Sequence, residues 1–164
     1  MSTSDLPAQS PATDPATPIA DRAAFNRELG LKINREIWNE RRVERIPDYF
    51  AEEFVADYSP YGIRRGRDEL RAMVERAHAT FENFREDVKT VMADEHRVVI
   101  HFTISGRQVG AWGPVPATGR SVEHDEIVIM TIANGKVVHQ VGIVDNLHAL
   151  RQLGVIPAVN RDPA

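Results

Sequence analysis

The apolar positions of this chain follow a helical period in the first half and an alternating period in the second. One group recurs every four residues and predicts an amphipathic helix that begins near Asp21: Phe25, Leu29, Ile33 and Ile37. A similar stripe predicts a helix over residues 67–82. Between the two, Pro47 suits the first turn of a short helix over residues 46–53, and a short strand is predicted over residues 54–58.

From residue 84 onward, apolar and polar side chains alternate, as they do on half-buried strands. Strands are predicted over residues 88–92 and 97–107. On the second of these, His101 lies on the polar face, and the opposite face carries Val98, Ile100, Phe102 and Ile104.

Two β-branched runs flank Asn134-Gly135, which is the strongest hairpin signal in the chain. Asn-Gly favours a type I′ turn, in which both central residues have positive φ, and a two-residue turn places Ala133 opposite Lys136. Carried along the strands without interruption, this register puts Asp145 opposite His124. One face of the hairpin then carries, among its apolar residues, His124, Glu126, Met130, His139 and Asp145. Ionisable side chains set into an apolar face indicate a pocket.

The order of elements is helices, then several antiparallel strands, then a short helix over residues 146–157. This order predicts an α+β fold in which the N-terminal helices pack into a strongly bent, mostly antiparallel sheet and leave a cone-shaped pocket. Residues 21–160 are predicted to form this single domain. Residues 1–20 hold four of the ten prolines and few apolar side chains, and are predicted to be a disordered tail.

Composition excludes several classes of function. The chain has 164 residues, a formal net charge of −4 and evenly mixed signs, which disfavours nucleic acid or an anionic membrane as a partner. It contains no cysteine, so thiolate chemistry and Cys-based metal sites are excluded. The longest apolar run, residues 127–133, is too short to span a bilayer, and no signal peptide is evident. A cytoplasmic protein is expected.

The second half of the chain also carries a family pattern. Gly135-Lys136-Val137, Asp145 and the run at residues 147–157 resemble the C-terminal pattern of SnoaL-like polyketide cyclases, of the nuclear transport factor 2-like superfamily. Residues 110–120 resemble the loop before that family's penultimate strand. Three positions depart from the pattern, because the family often has Trp, His and His where this chain has Val141, Gln108 and Tyr58.

The resemblance implies an acid/base aspartate at Asp145 and pocket walls that include Trp38, Tyr58, Gln108 and Trp112. An Asp has an ordinary pKa near 3.9, so it needs desolvation or a neighbouring carboxylate such as Glu126 to act as an acid near neutrality. A helix that begins at residue 146 would instead favour the anion. Two interpretations of Asp145 therefore stay open, a catalytic one and a helix-capping one.

His124 and His139 are candidates for the same chemistry because histidine titrates in the working range, although a lone strand histidine is more often structural. A metal site is not expected. Alternation sends Asp125 away from His124 and Glu126, and the spacing matches no named metal motif. The chain also lacks the Gly-x-Ser-x-Gly, Walker and dinucleotide fingerprints.

The sequence thus predicts a cofactor-free enzyme that transfers protons on a hydrophobic, aromatic or polyketide-like small molecule, by aldol closure, C–C cleavage, dehydration or isomerisation. The alternative is a non-catalytic binding or assembly module of the same fold. A homodimer is expected through the outer sheet face, which the uninterrupted register gives Ile127, Ile129, Val138 and Val144. The predicted catalytic residues are Asp145, His124 and His139. The predicted substrate-binding residues are Tyr58, His101, Gln108, Trp112, Glu126, Met130 and Trp38.

Overall fold

The computed structural model describes residues 19–58 and 61–157. The helical elements are α1 (Ile19–Lys32), a π-helical segment (Ile33–Asn39) that continues it, a short 3-10 turn (Val43–Arg45), α2 (Ile46–Tyr49), α3 (Gly66–Thr80) and α4 (Asn146–Gln152). The strands are β1 (Phe50–Tyr58), β2 (Gly62–Arg65), β3 (Phe81–Ala93), β4 (Arg97–Gln108), β5 (Ser121–Ala133) and β6 (Lys136–Val144). All but two residues of the predicted tail, and the last residues of the predicted domain, lie outside the described residues.

The strands form one six-stranded sheet in the order β2-β1-β6-β5-β4-β3. Neighbouring strands are antiparallel except β1 and β6, which run parallel. The buried residues of α1, the π-helical segment and α3 pack with the inner faces of the strands into the main hydrophobic core. The predicted α+β plan, with helices packed into a curled and mostly antiparallel sheet, is confirmed.

In two places strand pairing begins earlier in the chain than the pattern of the sequence predicts. The helix expected over residues 46–53 ends at Tyr49, since Phe50 is already extended and pairs with Val137 of β6. β3 begins at Phe81 rather than at residue 88, because its first residues pair with the end of β4. In the first helix the predicted stripe is buried at Leu29, Ile33 and Ile37, whereas Phe25 is exposed.

The β5–β6 hairpin has the predicted turn but not the predicted register. Asn134 and Gly135 have φ of 51° and 72°, as a type I′ turn requires, and Ala133 pairs with Lys136. A β-bulge then shifts the pairing by one residue, so that Thr131 pairs with His139. Because side chains alternate, one extra residue exchanges the two faces of β6 beyond the bulge. His139 and Ile143 therefore lie on the outer face, and Gln140 points inward.

The bulge also brings Gly142 beneath the aromatic ring of Tyr58. A Cβ atom on Gly142 would lie 1.9 Å from Cε1 of Tyr58, so any larger residue would displace the ring. Tyr58 ends β1 and pairs with Gly142 across the parallel β1–β6 ladder. This absence of a side chain on β6 allows the Tyr58 hydroxyl to lie over the inner face of the sheet.

Candidate active site

A cavity of about 400 Å³ lies between the inner face of the sheet and the helices that cover it. Its volume falls within the range of small-molecule sites in proteins. Much of the wall is apolar and comes from the core strands and the π-helical segment: Ile33, Ile100, Phe102, Ile104, Val128 and Met130. The polar side chains in this wall include Asn34, Tyr58, Glu86, His124, Glu126 and Gln140.

Strand register explains how three ionisable groups meet in this apolar wall. Glu86 of β3 pairs with Ile104 of β4, which pairs with His124 of β5. The next inward row joins Phe102 to Glu126. Neighbouring strands lie about 4.8 Å apart, and successive inward positions on one strand lie about 6.6 Å apart. The Cα atoms of Glu86, His124 and Glu126 therefore lie within a patch of roughly 10 by 7 Å. The side chains of this patch can contact one small substrate.

Glu126 is a buried carboxyl group on the cavity wall. Burial raises its pKa from the ordinary value of 4.5 to about 8, and a hydrogen bond with Tyr58 opposes part of that rise. The Tyr58 hydroxyl in turn accepts a hydrogen bond from Nε2 of Gln140. Glu126 is therefore held at one position, in an environment where both of its protonation states are accessible close to neutral pH.

Glu86 is a second buried carboxyl group, and the π-helical segment holds it in place. Asn34 Nδ2 donates a 2.6 Å hydrogen bond to Oε2 of Glu86. Asn39 accepts from the Glu86 backbone N–H at 2.8 Å and donates to its carbonyl at 2.9 Å. The five-residue repeat of a π-turn places Asn34 and Asn39 on the same side, where both reach β3. Burial, and then the charge on Glu126, raise the pKa of Glu86 well above its usual range.

His124 completes the group as a neutral imidazole. Burial lowers the pKa of His124 to about 4, although the charge of Asp145 acts in the opposite direction. Its buried Nδ1 atom has no hydrogen-bond partner among the described residues. The ring lies beside Trp112, with 6.1 Å between the ring centroids. A buried ring nitrogen without a protein partner, on a cavity wall, is suited to contact a bound ligand.

Gln108 positions the loop that carries Trp112. Its side-chain amide is fully buried, donates to the carbonyl of Pro116 at 3.2 Å and accepts from the Thr118 hydroxyl at 2.7 Å. Trp112 packs edge-on against Phe81 with 5.7 Å between centroids. Gln108 does not line the cavity, so the expectation that it forms a pocket wall is corrected to a role in holding the loop.

The structure brings together most of the predicted site residues and separates four from the cavity. The six that line it are Trp38, Tyr58, Trp112, His124, Glu126 and Met130. Gln108 holds the loop as described, and His139 lies on the outer face because of the bulge. His101 is on the outer face of β4, where its Nε2 lies 3.1 Å from Asp125, whose pKa the hydrogen bonds from Thr103 and His101 lower.

Asp145 is exposed and does not line the cavity. Its Oδ1 accepts a 2.9 Å hydrogen bond from the backbone N–H of His148, so it caps α4. This geometry is that of the capping interpretation. Asp145 still acts on the cavity through its charge, which opposes part of the fall that burial causes in the pKa of His124.

The polar cavity residues that sequence reasoning missed include Glu86, Asn34 and Gln140. Of these three, only Glu86 had a usable signal, because it lies between Phe84 and Val88 in an alternating run and thus on their face. The predicted strand began at residue 88 and therefore did not include Glu86. Gln140 turns inward through the bulge, and Asn34 reaches Glu86 from a π-helical turn; neither feature follows from the period of the sequence.

Within residues 19–58 and 61–157, no group of three or more His, Cys, Asp or Glu side chains is arranged to hold a metal ion. Across the same residues, no helix combines the length and apolarity needed to cross a membrane.

Comparison with known proteins gives a consistent family assignment. A family model described as SnoaL-like polyketide cyclase matches residues 29–153. None of the curated protein sequences matches the chain.

Solved structures agree on the fold. TsrD from Streptomyces laurentii is 26% identical, with a TM-score of 0.73, over 81% of this chain and 97% of that one. A SnoaL-like protein from Jannaschia sp. CCS1 is 20% identical, with a TM-score of 0.76, over 88% and 100% of the two chains. A SnoaL-like polyketide cyclase from Agrobacterium tumefaciens strain C58 is 17% identical, with a TM-score of 0.66, over 77% and 96%.

Proposed function

The chain belongs to the SnoaL-like polyketide cyclase family, and from that premise we propose that it is a cofactor-independent enzyme with cyclase- or isomerase-type activity. Its substrate in this proposal is a hydrophobic carbonyl compound, aromatic or polyketide-like, that enters the cavity. The chemistry is proton transfer, as in an aldol ring closure, its reverse, a dehydration or an isomerisation.

One observation carries this proposal: the Glu126 carboxyl group lies in an apolar cavity, where burial raises its pKa to about 8. A general acid or base works best when its pKa lies near the working pH. A carboxylate with an ordinary pKa near 4.5 is a weak base, and burial makes Glu126 a stronger one by raising its pKa. Glu126 is therefore the group that we assign to removal of a proton from the carbon next to the substrate carbonyl.

The neighbouring groups supply what an enolate requires. The removal of that proton places negative charge on the carbonyl oxygen, and donors fixed around that oxygen stabilise it. The Tyr58 hydroxyl, held by Gln140, donates its one hydrogen to the Glu126 carboxylate. In this proposal it turns that hydrogen to the enolate oxygen once Glu126 has taken up the proton. Trp38, Trp112 and Met130 supply flat and flexible apolar walls for a ring system.

Asp145 and His124 enter the proposal as a competing proton-transfer pair. The family resemblance assigns the acid/base role to Asp145, which here is exposed and caps α4. In this alternative Asp145 acts through His124, because its charge opposes part of the fall that burial causes in the pKa of that residue. His139 lies on the outer face and is left without a role.

Exchange of the α-protons of β-tetralone in deuterium oxide, followed by NMR, tests the proposal with a simple apolar ketone. We expect the protein to accelerate exchange, and Glu126→Gln to lower the rate by about two to four orders of magnitude. The rate should rise with pH through about 8, because the ionised carboxylate is the base. Glu123→Gln is the matched control, since Glu123 lies on the same strand with its side chain exposed.

Three results would contradict this assignment in different ways. Normal exchange in Glu126→Gln together with loss in Asp145→Asn and His124→Gln would move the chemistry to that pair. Normal exchange in every variant would remove the cavity groups from the reaction. Binding of β-naphthol without any acceleration of exchange by the wild type would identify a binding module.

We also propose that the protein is a cytoplasmic homodimer. The location rests on the sequence alone. The dimer rests on the outer sheet face, where Ile127 of β5 pairs with Ile143 of β6 and both side chains are exposed, at 41% and 63%. Adjacent exposed aliphatic side chains on a sheet are typical of an interface.

A further inference from the structure

The cavity holds two buried carboxyl groups, although a single base would suffice for the proton removal proposed above. Glu86 is 4% exposed and Glu126 is 7% exposed, and they reach the cavity from two strands separated by β4. Burying a carboxyl group costs free energy unless it is compensated. Two of them in one apolar cavity, with the unpartnered Nδ1 of His124 in the same wall, indicate a polar ligand between them.

A structural role does not account for Glu86. The link between β3 and the π-helical segment is already made by the Glu86 backbone, whose N–H and carbonyl both bond Asn39. Glutamine could accept the Asn34 hydrogen bond equally well and would avoid the cost of a buried ionisable group. The feature that needs an explanation is that an acid stands at this position.

We propose that Glu86 and Glu126 work as a pair that shares one proton, with Glu126 as the ionised base and Glu86 as the protonated acid. The proposal rests on the proposed function and adds a second catalytic residue to it. Both carboxyl groups line the cavity and so contact the substrate. Asn34 donates to Oε2 of Glu86, which leaves the other oxygen to carry the proton.

In an aldol closure one carboxyl group of the pair accepts a proton and the other donates one. The Glu126 carboxylate takes a proton from the α-carbon, and that carbon forms a bond to a second carbonyl carbon of the same substrate. The oxygen of this second carbonyl becomes an alkoxide as its π-bond breaks, and Glu86 donates a proton to it. After product release, water carries the proton from Glu126 back to Glu86, so the reaction consumes no proton and no other reactant.

The order of ionisation follows from the surroundings. The charge that forms on Glu126 raises the pKa of Glu86 further, so Glu86 keeps its proton after Glu126 has lost its own. Burial moves the pKa values of three other side chains at the cavity away from neutral pH. Burial lowers that of His124 to about 4, raises that of Tyr61 to about 12 and raises that of Tyr58 well above its usual range. The charged groups Arg64 and Arg76 also line the cavity.

The pH dependence of β-tetralone exchange tests the pair, because protonated Glu86 is also the donor to the enolate oxygen in that reaction. The wild type should give a bell-shaped profile, with an acid limb for ionisation of Glu126 and a basic limb for loss of the Glu86 proton. Glu86→Gln should lower the maximal rate by about 100-fold and abolish the basic limb. Asp87→Asn, a neighbour on the same strand that bonds Arg85 at 2.6 Å, should change neither.

The outcomes separate this inference from the function on which it rests. Suppose that Glu126→Gln is inactive while Glu86→Gln keeps the full rate and the basic limb. That result would refute the pair and leave the proposed function standing. Normal exchange in Glu126→Gln would overturn both. If Glu86→Gln fails to fold, carboxyl-carbon NMR of the wild type decides. Both carboxyl groups must then titrate above pH 6, and a Glu86 that titrates at an ordinary carboxyl pKa refutes the pair.

Discussion

Replacement of Glu126 by Gln should stabilise the protein, and the gain should grow with pH. In the folded chain the carboxyl group keeps its proton up to about pH 8, whereas in the unfolded chain it ionises near 4.5. Between these values the folded state binds the extra proton, so the free energy of unfolding of the wild type falls as the pH rises. Above about pH 8 the carboxyl group is ionised in both the folded and the unfolded chain, and the free energy of unfolding falls no further on its account. Glu126→Gln lacks the carboxyl group and therefore lacks this decrease.

The size of the effect follows from the two pKa values. Each pH unit between 4.5 and about 8 corresponds to about 1.4 kcal/mol, so the whole interval corresponds to about 5 kcal/mol. Glu86 adds to the same trend, because the charge on Glu126 raises its pKa and the variant lacks that charge. An imperfect fit of the new amide would shift stability equally at every pH. The slope with pH, rather than the offset, therefore reports the buried carboxyl group.

Urea unfolding at about pH 5, 7 and 9, followed by tryptophan fluorescence, measures this difference. The stability of Glu126→Gln relative to the wild type should increase from the lowest pH to the highest by several kcal/mol, and should level off above about pH 8. Glu123→Gln, on the exposed face of the same strand, should follow the wild type at each pH. Parallel pH dependence in Glu126→Gln and the wild type would refute the argument that the cavity buries this carboxyl group.

The remaining predictions concern the elements around the site. Gly142→Ala should destabilise the fold by about 3 kcal/mol and slow β-tetralone exchange, because its Cβ would displace the Tyr58 ring; urea unfolding that matches the wild type would contradict this. Asp145→Ala should cost about 1 kcal/mol through loss of the α4 cap while Asp145→Asn keeps it, and equal unfolding free energies of the two variants would exclude a capping role. Ile143→Lys should turn a dimer into a monomer in light scattering, and a wild type that is monomeric at micromolar concentration would remove the proposed interface.

Features that depend on neighbours in sequence could be predicted. The inner face of β4 follows from strict alternation over Val98, Ile100, Phe102 and Ile104, which are all buried. The turn of the last hairpin follows from Asn134-Gly135, since few other pairs accept positive φ at both positions. Glu126 and His124 lie on the inner face of β5 because no bulge interrupts its pairing with β4.

Features that depend on contacts across the fold could not be predicted. The residue inserted into β6 lies in a run of β-branched side chains that resembles any regular strand. What distinguishes this position is the parallel partner β1, whose Tyr58 packs on Gly142, and that pairing joins strands about eighty residues apart. The burial of Glu86 likewise depends on a π-helical turn more than forty residues away in the chain.

The bulge links the fold to the chemistry. With the uninterrupted register, β6 would direct His139 and Asp145 into the cavity and Gln140 to the outer face. The observed register instead places Gln140 where its amide holds the Tyr58 hydroxyl, and Tyr58 in turn bonds Glu126. The same shift pairs Ile143 with Ile127 on the outer face, where the proposed dimer forms. One extra residue in a strand thus decides which side chains surround the proposed base and which side chains of β6 lie on the outer face. Deletion of Val138 removes the extra residue but leaves Thr131 opposite His139, Gln140 inward and Ile143 outward. This variant should therefore keep both proton exchange and dimerisation, and loss of both would contradict the argument.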